Sequence, residues 1–272
     1  MSTSVEGFLD QDTKPELPAR MFDLSGRIAM VTGSSRGIGF AIARALGGAG
    51  AHVILNGRDG AMLAQRLRQL RQWDIEAEIA EFDVTDGVAS VLALKAAAVR
   101  HGRLDILVSN AGGIVRKPLL EQSDEDWISV IDAHLNGGYR LAREAARIMV
   151  QASYGRIIFT SSVAGQLARP TVTGYVAAKH GINGLVRALA VELAHNGVTV
   201  NAIAPGYFPT DGNKGLREQD HGMTARIADR TPMGRWGELD ELGAAAVYLA
   251  SGSSGYVTGH VLTVDGGLTA SM

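Results

Sequence analysis

Apolar positions along this chain fall into two alternating patterns. Short unbroken runs, such as Ile28–Val31 and Val53–Leu55, are separated by longer stretches in which apolar residues recur every three or four positions. The short runs predict strands over 27–32, 52–56, 76–81, 104–109, 155–160, 198–203 and 260–264. The longer stretches predict helices over 37–48, 60–73, 87–101, 124–151, 173–196 and 238–250. A strand that is apolar at every position is buried on both faces, as in a parallel sheet covered by helices. Strand–helix alternation builds right-handed crossover units. The fold class expected is therefore α/β, a doubly wound parallel sheet forming one domain over 23–272. Residues 1–22, with Pro15 and Pro18, read as a polar arm. The stretch 206–237 carries Gly206, Pro209, Gly212, Gly215, Gly222, Pro232 and Gly234 and is expected to be an irregular loop at the substrate site.

Composition removes several classes of function. The 272 residues contain no cysteine, which excludes disulfides, thiolate metal sites and cysteine nucleophiles. A net charge of −2 gives no basic excess for nucleic acid or an anionic membrane. The first twenty residues lack the basic start and apolar run of a signal peptide, and no apolar run is long enough to span a bilayer, so a cytoplasmic protein is expected. No histidine–carboxylate group shows the spacing of a metal site, so no metal is expected.

The first strand runs into Thr32-Gly33-Ser34-Ser35-Arg36-Gly37-Ile38-Gly39, which opens the first long helix. Glycines permit close backbone approach, and a helix N-terminus offers unpaired N–H groups and a positive dipole end. The turn is a candidate cradle for a pyrophosphate, in a spacing variant of the dinucleotide fingerprint. Gly33-Ser34-Ser35-Arg36-Gly37 also fits the nucleophile elbow of serine hydrolases, which leaves that reading open at this point. An NAD site places an acid at the end of the second strand, about 20 residues after the glycines. Here that strand ends in Leu55-Asn56-Gly57-Arg58. Arg58, with Arg36 from the turn, suits a 2′-phosphate and favours NADP(H) over NAD(H). Asp59 keeps NAD(H) in play, although a helix cap is the preferred reading of that residue.

The sharpest signal is Tyr175-Val176-Ala177-Ala178-Lys179, with Ser162 thirteen residues before the tyrosine. Residues i and i+4 share a helix face. A free phenol titrates near 10, and a nearby ammonium would lower it toward the range of useful proton exchange. Ser162, at a strand end, would bond the same substrate oxygen.

With these motifs in hand, the chain resembles the short-chain dehydrogenase/reductase family over about residues 24–267. The shared marks are the turn at 32–39, Asp83-Val84, Ser109-Asn110-Ala111-Gly112, Ser162, Tyr175 with Lys179, Pro205-Gly206, and Val264-Asp265-Gly266-Gly267. The resemblance implies a Rossmann-type seven-stranded sheet and hydride transfer between a nicotinamide and a secondary alcohol or ketone. It implies Tyr175 as acid/base, Lys179 on the nicotinamide ribose and Ser162 on the substrate oxygen. It implies Gly33, Ser35, Arg36, Ile38 and Gly39 along the phosphates and Asp83 and Val84 at the adenine. It also puts Asn110, Ala111 and Gly112 at the ribose side of the groove, and Pro205, Gly206 and Thr210 at the nicotinamide. A homo-tetramer or dimer through 124–151 and 173–196 is implied as well.

One position departs from the family. Where it carries a catalytic asparagine, 28 residues before Ser162, this chain has His134. On an α-helix Asn136 lies about 200° away and faces elsewhere. His134 either takes over a water-mediated proton relay, adding pH sensitivity through a pKa near 6.5, or only packs.

Within the family, Phe22–Gly26, Val115–Pro118, Leu167–Thr171, Ala202–Thr210 and Arg230–Gly237 resemble gluconate 5-dehydrogenase-like enzymes. A sugar acid needs a cation for its carboxylate, and Arg116 and Arg169 are the candidates. The alternatives are a 3-oxoacyl thioester reductase and a non-catalytic cofactor sensor on the same fold.

Overall fold

The computed structural model describes residues 18–271. The polar arm expected over 1–22 lies outside the described residues as far as residue 17. Its end is the short helix α1 (Pro18–Met21), whose Met21 carbonyl accepts a hydrogen bond from the Ser253 hydroxyl at 2.7 Å.

All seven predicted strands are present: β1 (Ile28–Val31), β2 (His52–Gly57), β3 (Ala77–Glu81), β4 (Ile106–Ser109), β5 (Gly155–Thr160), β6 (Val198–Pro205) and β7 (Val261–Val264). They form one parallel sheet in the order β3-β2-β1-β4-β5-β6-β7. This is the Rossmann-type, doubly wound α/β arrangement. The strand order reverses between β1 and β4, and a crevice opens at their carboxyl ends, where such sheets bind ligands.

Two apolar layers sandwich the sheet. One face packs on α4 (Gly87–His101), α6 (Gly137–Gln151) and α7 (Thr173–Leu193), through Leu94, Leu141, Met149, Ile182 and Phe159. The other packs on α2 (Gly37–Gly48), α3 (Gly60–Arg71) and α10 (Leu239–Ala250), through Ile42, Leu46, Leu63, Leu70 and Leu249. Each of these buried apolar side chains contributes about 1.5–3 kcal/mol of burial free energy. Asp59 caps α3, accepting from Met62 N at 3.0 Å, and Asp86 caps α4 through Val88 N and Ala89 N.

Two expectations are corrected. The single helix expected over 124–151 is α5 (Asp124–Ile131) and α6 separated by a π turn, Asp132–Asn136. The wider turn inserts a residue without breaking the rod, so the apolar periodicity hides it. The stretch 206–237 is not irregular throughout. It holds α8 (Asp211–Gln219) and α9 (Met223–Arg230), neither of which has a buried residue. With no face in the core, these helices leave little apolar pattern to read. They are joined to the site through Trp236, whose Nε1 donates to Thr224 O at 3.1 Å and whose ring lies 5.6 Å from that of Tyr207.

Candidate active site

The glycine turn sits at the strand reversal. Gly33 has φ +62° and faces the chain beyond β4: a Cβ there would lie 2.8 Å from Ala111 Cα. The first N–H groups of α2 have no carbonyl partner inside the helix, and Arg36, at its N-cap position, makes no side-chain cap. The contrast with the capped starts of α3 and α4 leaves these N–H groups for an anion. The residues present therefore fit a dinucleotide's phosphates.

Asn56, which the sequence reading passed over, holds this turn in place. It is fully buried. Its side-chain oxygen accepts from Gly33 N at 3.2 Å, and its amide nitrogen donates to Ala80 O and Phe82 O at 3.0 and 3.1 Å. A polar residue inside an apolar strand was the available signal. Arg66 was also missed. It donates from Nε to Ser35 O at 3.0 Å and stacks on Phe40.

Asn110 ties β4 to the turn, donating from its side chain to Thr32 O at 3.0 Å and Gly33 O at 3.2 Å. Its oxygen accepts from the Thr160 hydroxyl at 3.2 Å, and Ala111 N donates to Thr32 Oγ1 at 3.0 Å. Arg58 is 78% exposed and reaches Asp83 at 3.4 Å. Asp83 also accepts from Thr85 N at 2.9 Å, and Val84 beside it is buried. Asp59 takes the cap role preferred for it, accepting from Met62 N through one carboxylate oxygen. Pro205 ends β6. Gly206 N donates to Val264 O at 2.9 Å, and Thr210 stands across from Gly37.

Ser162, Tyr175 and Lys179 converge at the carboxyl end of β5. Tyr175 is half-buried close to Ser162, whose hydroxyl oxygen accepts from Ala164 N at 3.1 Å. Lys179 is buried. Its Nζ donates to Thr160 O at 2.5 Å and lies 5.4 Å from the centre of the Tyr175 ring. Asn183, one further turn along α7, accepts from the Ser161 hydroxyl at 2.6 Å and donates to Gly165 O at 2.9 Å. It fixes the segment that carries Ser162. The i, i+4, i+8 spacing of 175, 179 and 183 was its unread signal.

The electrostatics correct two expectations. Burial raises the Tyr175 phenol above its ordinary value. The nearby Ser162 hydroxyl and the Arg116 charge pull the other way without overcoming it, and Tyr207 adds to the rise. The ammonium expected to lower the phenol is itself weakened, because burial brings Lys179 down to about 7. His134 does not titrate near neutrality either. Burial first, and the Lys179 charge second, lower it to about 3 against the opposing bond to Gly113. Its Nε2 lies 2.7 Å from Gly113 O. A carbonyl only accepts, so the neutral ring carries its proton on Nε2 and keeps Nδ1 as an acceptor. The ring meets Tyr175 edge-on, with centroids 5.3 Å apart. Asn136 does face elsewhere, with its amide donating to Asp132.

Arg116 is half-buried, close enough to Tyr175, Tyr207 and Arg169 for their charges to bear on it. Burial and then Arg169 lower its pKa. Among the described residues neither Arg116 nor Arg169 has a carboxylate within 4.0 Å, whereas Lys117 is taken up by Asp126 at 2.6 Å. The loop bearing Arg116 and the one bearing Arg169 are joined by a bond from Lys117 N to Thr171 O at 3.0 Å. Thr171 has φ +69°, a strained conformation for a β-branched residue. The hydrolase reading finds no support. Ser35 faces Gly57, and among the described residues no histidine is bonded to it.

A dinucleotide crevice opening onto a Ser–Tyr–Lys cluster is the site of a Rossmann-type oxidoreductase. The chain belongs to the short-chain dehydrogenase/reductase family. A family model described as enoyl-(acyl carrier protein) reductase matches residues 33–269. The chain is 39% identical over 252 residues to a gluconate 5-dehydrogenase of Gluconobacter oxydans, covering 93% of this chain and 98% of that one. It is 37% identical over 251 residues to a 3-oxoacyl-(acyl-carrier-protein) reductase of Haemophilus influenzae, covering 90% and 99%. The crystal structure of a gluconate 5-dehydrogenase from Burkholderia cenocepacia in complex with NADP and tartrate superposes with a TM-score of 0.89, at 39% identity over 93% of this chain and 99% of that one.

Proposed function

We propose that this protein is an NADP(H)-dependent oxidoreductase that interconverts a secondary alcohol and a ketone on a sugar acid of the gluconate class. The observation that carries the proposal is the meeting of Ser162, Tyr175 and Lys179 near Arg116, which has no carboxylate partner among the described residues. The similarity to gluconate 5-dehydrogenases, one of them described with NADP bound, supports it.

When bound, the nicotinamide supplies or takes up the hydride. The rest of the chemistry belongs to this chain. Ser162 and Tyr175 hold the substrate oxygen between them. With its pKa raised, Tyr175 keeps its proton at neutral pH and is loaded to donate it to a ketone oxygen as the alcohol forms. In the reverse direction it takes the proton back. Lys179, anchored on Thr160 O, binds the ribose hydroxyls and offers a proton route behind the phenol. The uncapped start of α2 and Ser35, Arg36, Ile38 and Gly39 hold the phosphates. Arg36 and Arg58 hold the 2′-phosphate, with Asp83 and Val84 at the adenine and Asn110, Ala111 and Gly112 along the groove. Pro205, Gly206 and Thr210 border the nicotinamide. Arg116, with Arg169 behind it, takes the substrate carboxylate in charge-assisted hydrogen bonds. Neutral His134 braces the phenol and offers Nδ1 to a water.

Reduction of a 3-oxoacyl thioester is the second reading, favoured by the relative from Haemophilus influenzae and by the description of the family model. The pairing of Lys117 with Asp126 works against it, because it shrinks the basic patch available to an acidic carrier protein. The proposal extends to a cytoplasmic enzyme working as a homo-tetramer or dimer. Exposed Trp127, Ile128, Tyr139 and Val191 on α5, α6 and α7 are apolar surface for such contacts.

The test is a panel of sugar acids and polyols, followed as absorbance of the reduced cofactor with NADP and NAD in parallel. Turnover of gluconate with NADP is the expected result. Turnover confined to NADPH with a 3-oxoacyl thioester would transfer the mechanism to the second reading, and turnover of neither would overturn the proposal.

A further inference from the structure

We propose that His52, Glu78 and His101 form a binding site for a divalent transition-metal ion, with zinc the ion their donors fit best. The sequence gives no hint of it, because the three residues are scattered along the chain and only the sheet brings them together.

The register does so explicitly. Ile54 pairs with Glu78 across β2 and β3, and Ile54 packs toward the face covered by α4. Side chains two apart on a strand share a face, so His52 stands on that side with Glu78 as its neighbour. Helix α4 ends over the same spot, stopped by Gly102 at φ +69°, and delivers His101 in its last turn. One donor atom from each of the three lies within 4.8 Å of the other two. The imidazole centroids are 4.6 Å apart.

His52 presents a buried Nε2 with no hydrogen-bond partner in the protein, and the buried Nε2 of His101 faces the Glu78 carboxylate, 3.3 Å from Oε1, without a well-formed hydrogen bond. A buried ring nitrogen left without a partner is unfavourable, and an ion drawn in between these donors would satisfy it. The other nitrogen of His52, Nδ1, is 3.6 Å from the Glu76 carboxylate. A carboxylate behind a histidine is the usual way of fixing the tautomer that turns Nε2 toward a metal. Glu78 is a ready anionic ligand. Arg100 Nη2 sits 2.8 Å from Oε1 and Nε 3.2 Å from Oε2, which leaves lone pairs on the carboxylate for an ion and tempers its affinity.

Two imidazoles and a carboxylate form a borderline donor set suited to zinc, with water completing a tetrahedron. Donors around tetrahedral zinc stand about 3.3 Å apart, so the three have to draw in slightly. Their side chains are 22%, 24% and 18% exposed, enough for solvent access and adjustment. The site lies at the amino end of β2, whereas the glycine turn meets its carboxyl end, about 17 Å away along the strand. An ion here would pin β2, β3 and α4 together at the sheet edge without touching the proposed chemistry.

The test is calorimetric titration of untagged, chelator-stripped full-length protein with zinc chloride. One zinc per chain in the micromolar range is expected, with binding weakened at least tenfold in His52→Gln and in His101→Gln. The melting temperature should rise with zinc in the wild type and not in those variants. The proposal is overturned if the wild type takes up no stoichiometric zinc. It is equally overturned if the double variant binds as the wild type does, which would move the ion to other histidines. Cobalt(II) on the wild type needs no variant to fold. An intense four-coordinate spectrum that zinc displaces supports the site, and a weak six-coordinate spectrum overturns it.

Discussion

The ring of His134 stands edge-on to the ring of Tyr175, their centroids 5.3 Å apart and their planes at 77°. Through this contact the π turn at 132–136 braces the helix that carries the proposed acid. The space for it is made by Gly112, where a Cβ would fall 1.9 Å from the His134 ring.

Gly112→Ala should therefore push the imidazole against the phenol. Overpacking of this kind destabilises by about 1–3 kcal/mol. Denaturant unfolding and turnover should both register the loss, and adding His134→Ala should recover the stability. A double variant no more stable than Gly112→Ala would break the link. His134→Asn should keep turnover, because a neutral donor–acceptor is retained.

Tyr175→Phe removes the proton but keeps the ring. Turnover should fall by about 10²–10⁴-fold, the usual range for a positioned general acid. Cofactor affinity, followed by fluorescence, should change little. Wild-type turnover in this variant would remove Tyr175 from the mechanism.

Arg58→Ala should raise the KM for NADP by about 10- to 100-fold, the equivalent of one charge-assisted hydrogen bond, and leave that for NAD nearly unchanged. Because Arg58 is 78% exposed and makes only a 3.4 Å pair with Asp83, thermal stability should not move. An equal effect on both cofactors would place the 2′-phosphate elsewhere.

Lys179→Met should show a stability effect that depends on pH. The folded lysine holds its proton only up to about 7, whereas the ordinary value is 10.5. Between these values the unfolded chain binds more protons, so the wild type gains stability as pH rises through that window. The methionine variant lacks this dependence. Its stability relative to the wild type should fall by on the order of 4 kcal/mol between pH 6 and pH 10. Parallel unfolding curves at the two pH values would show that the ammonium is not strained by burial. The variant should be inactive at both.

Arg116→Ala should lower kcat/KM for a sugar acid by about 10- to 100-fold and spare an uncharged polyol, since only the acid loses a charged partner. Equal losses on both substrates would mean that the arginine supports the loop and not the carboxylate.

Much of this was legible in the chain. Fully buried parallel strands such as β1 and β4 declare themselves as unbroken apolar runs, whereas β3 carries Glu78 and Glu81 and β7 is only partly buried. Tyr175, Lys179 and Ser162 were legible because their spacing has a chemical reason. The π turn escaped because one inserted residue barely disturbs a helical period. Helices α8 and α9 escaped because they bury nothing. The pKa of Tyr175 went the other way because burial is a property of the assembled site, invisible at the level of a Tyr-Lys pair. Asn56 and Asn183 were visible as polar residues at apolar positions, but their partners lie 23 to 26 and 18 to 22 positions away in sequence.

Asn56 and Arg58 are two positions apart and under opposite constraints. The first is sealed in the sheet with several partners, so almost any replacement would disturb the turn it supports. The second stands in solvent with one weak partner, so replacing it would leave the fold undisturbed. On the role proposed for Arg58, coenzyme preference is set at a surface position while the foundation beneath it stays frozen. Nucleotide preference is then the most evolvable property of the site and the pyrophosphate cradle the least.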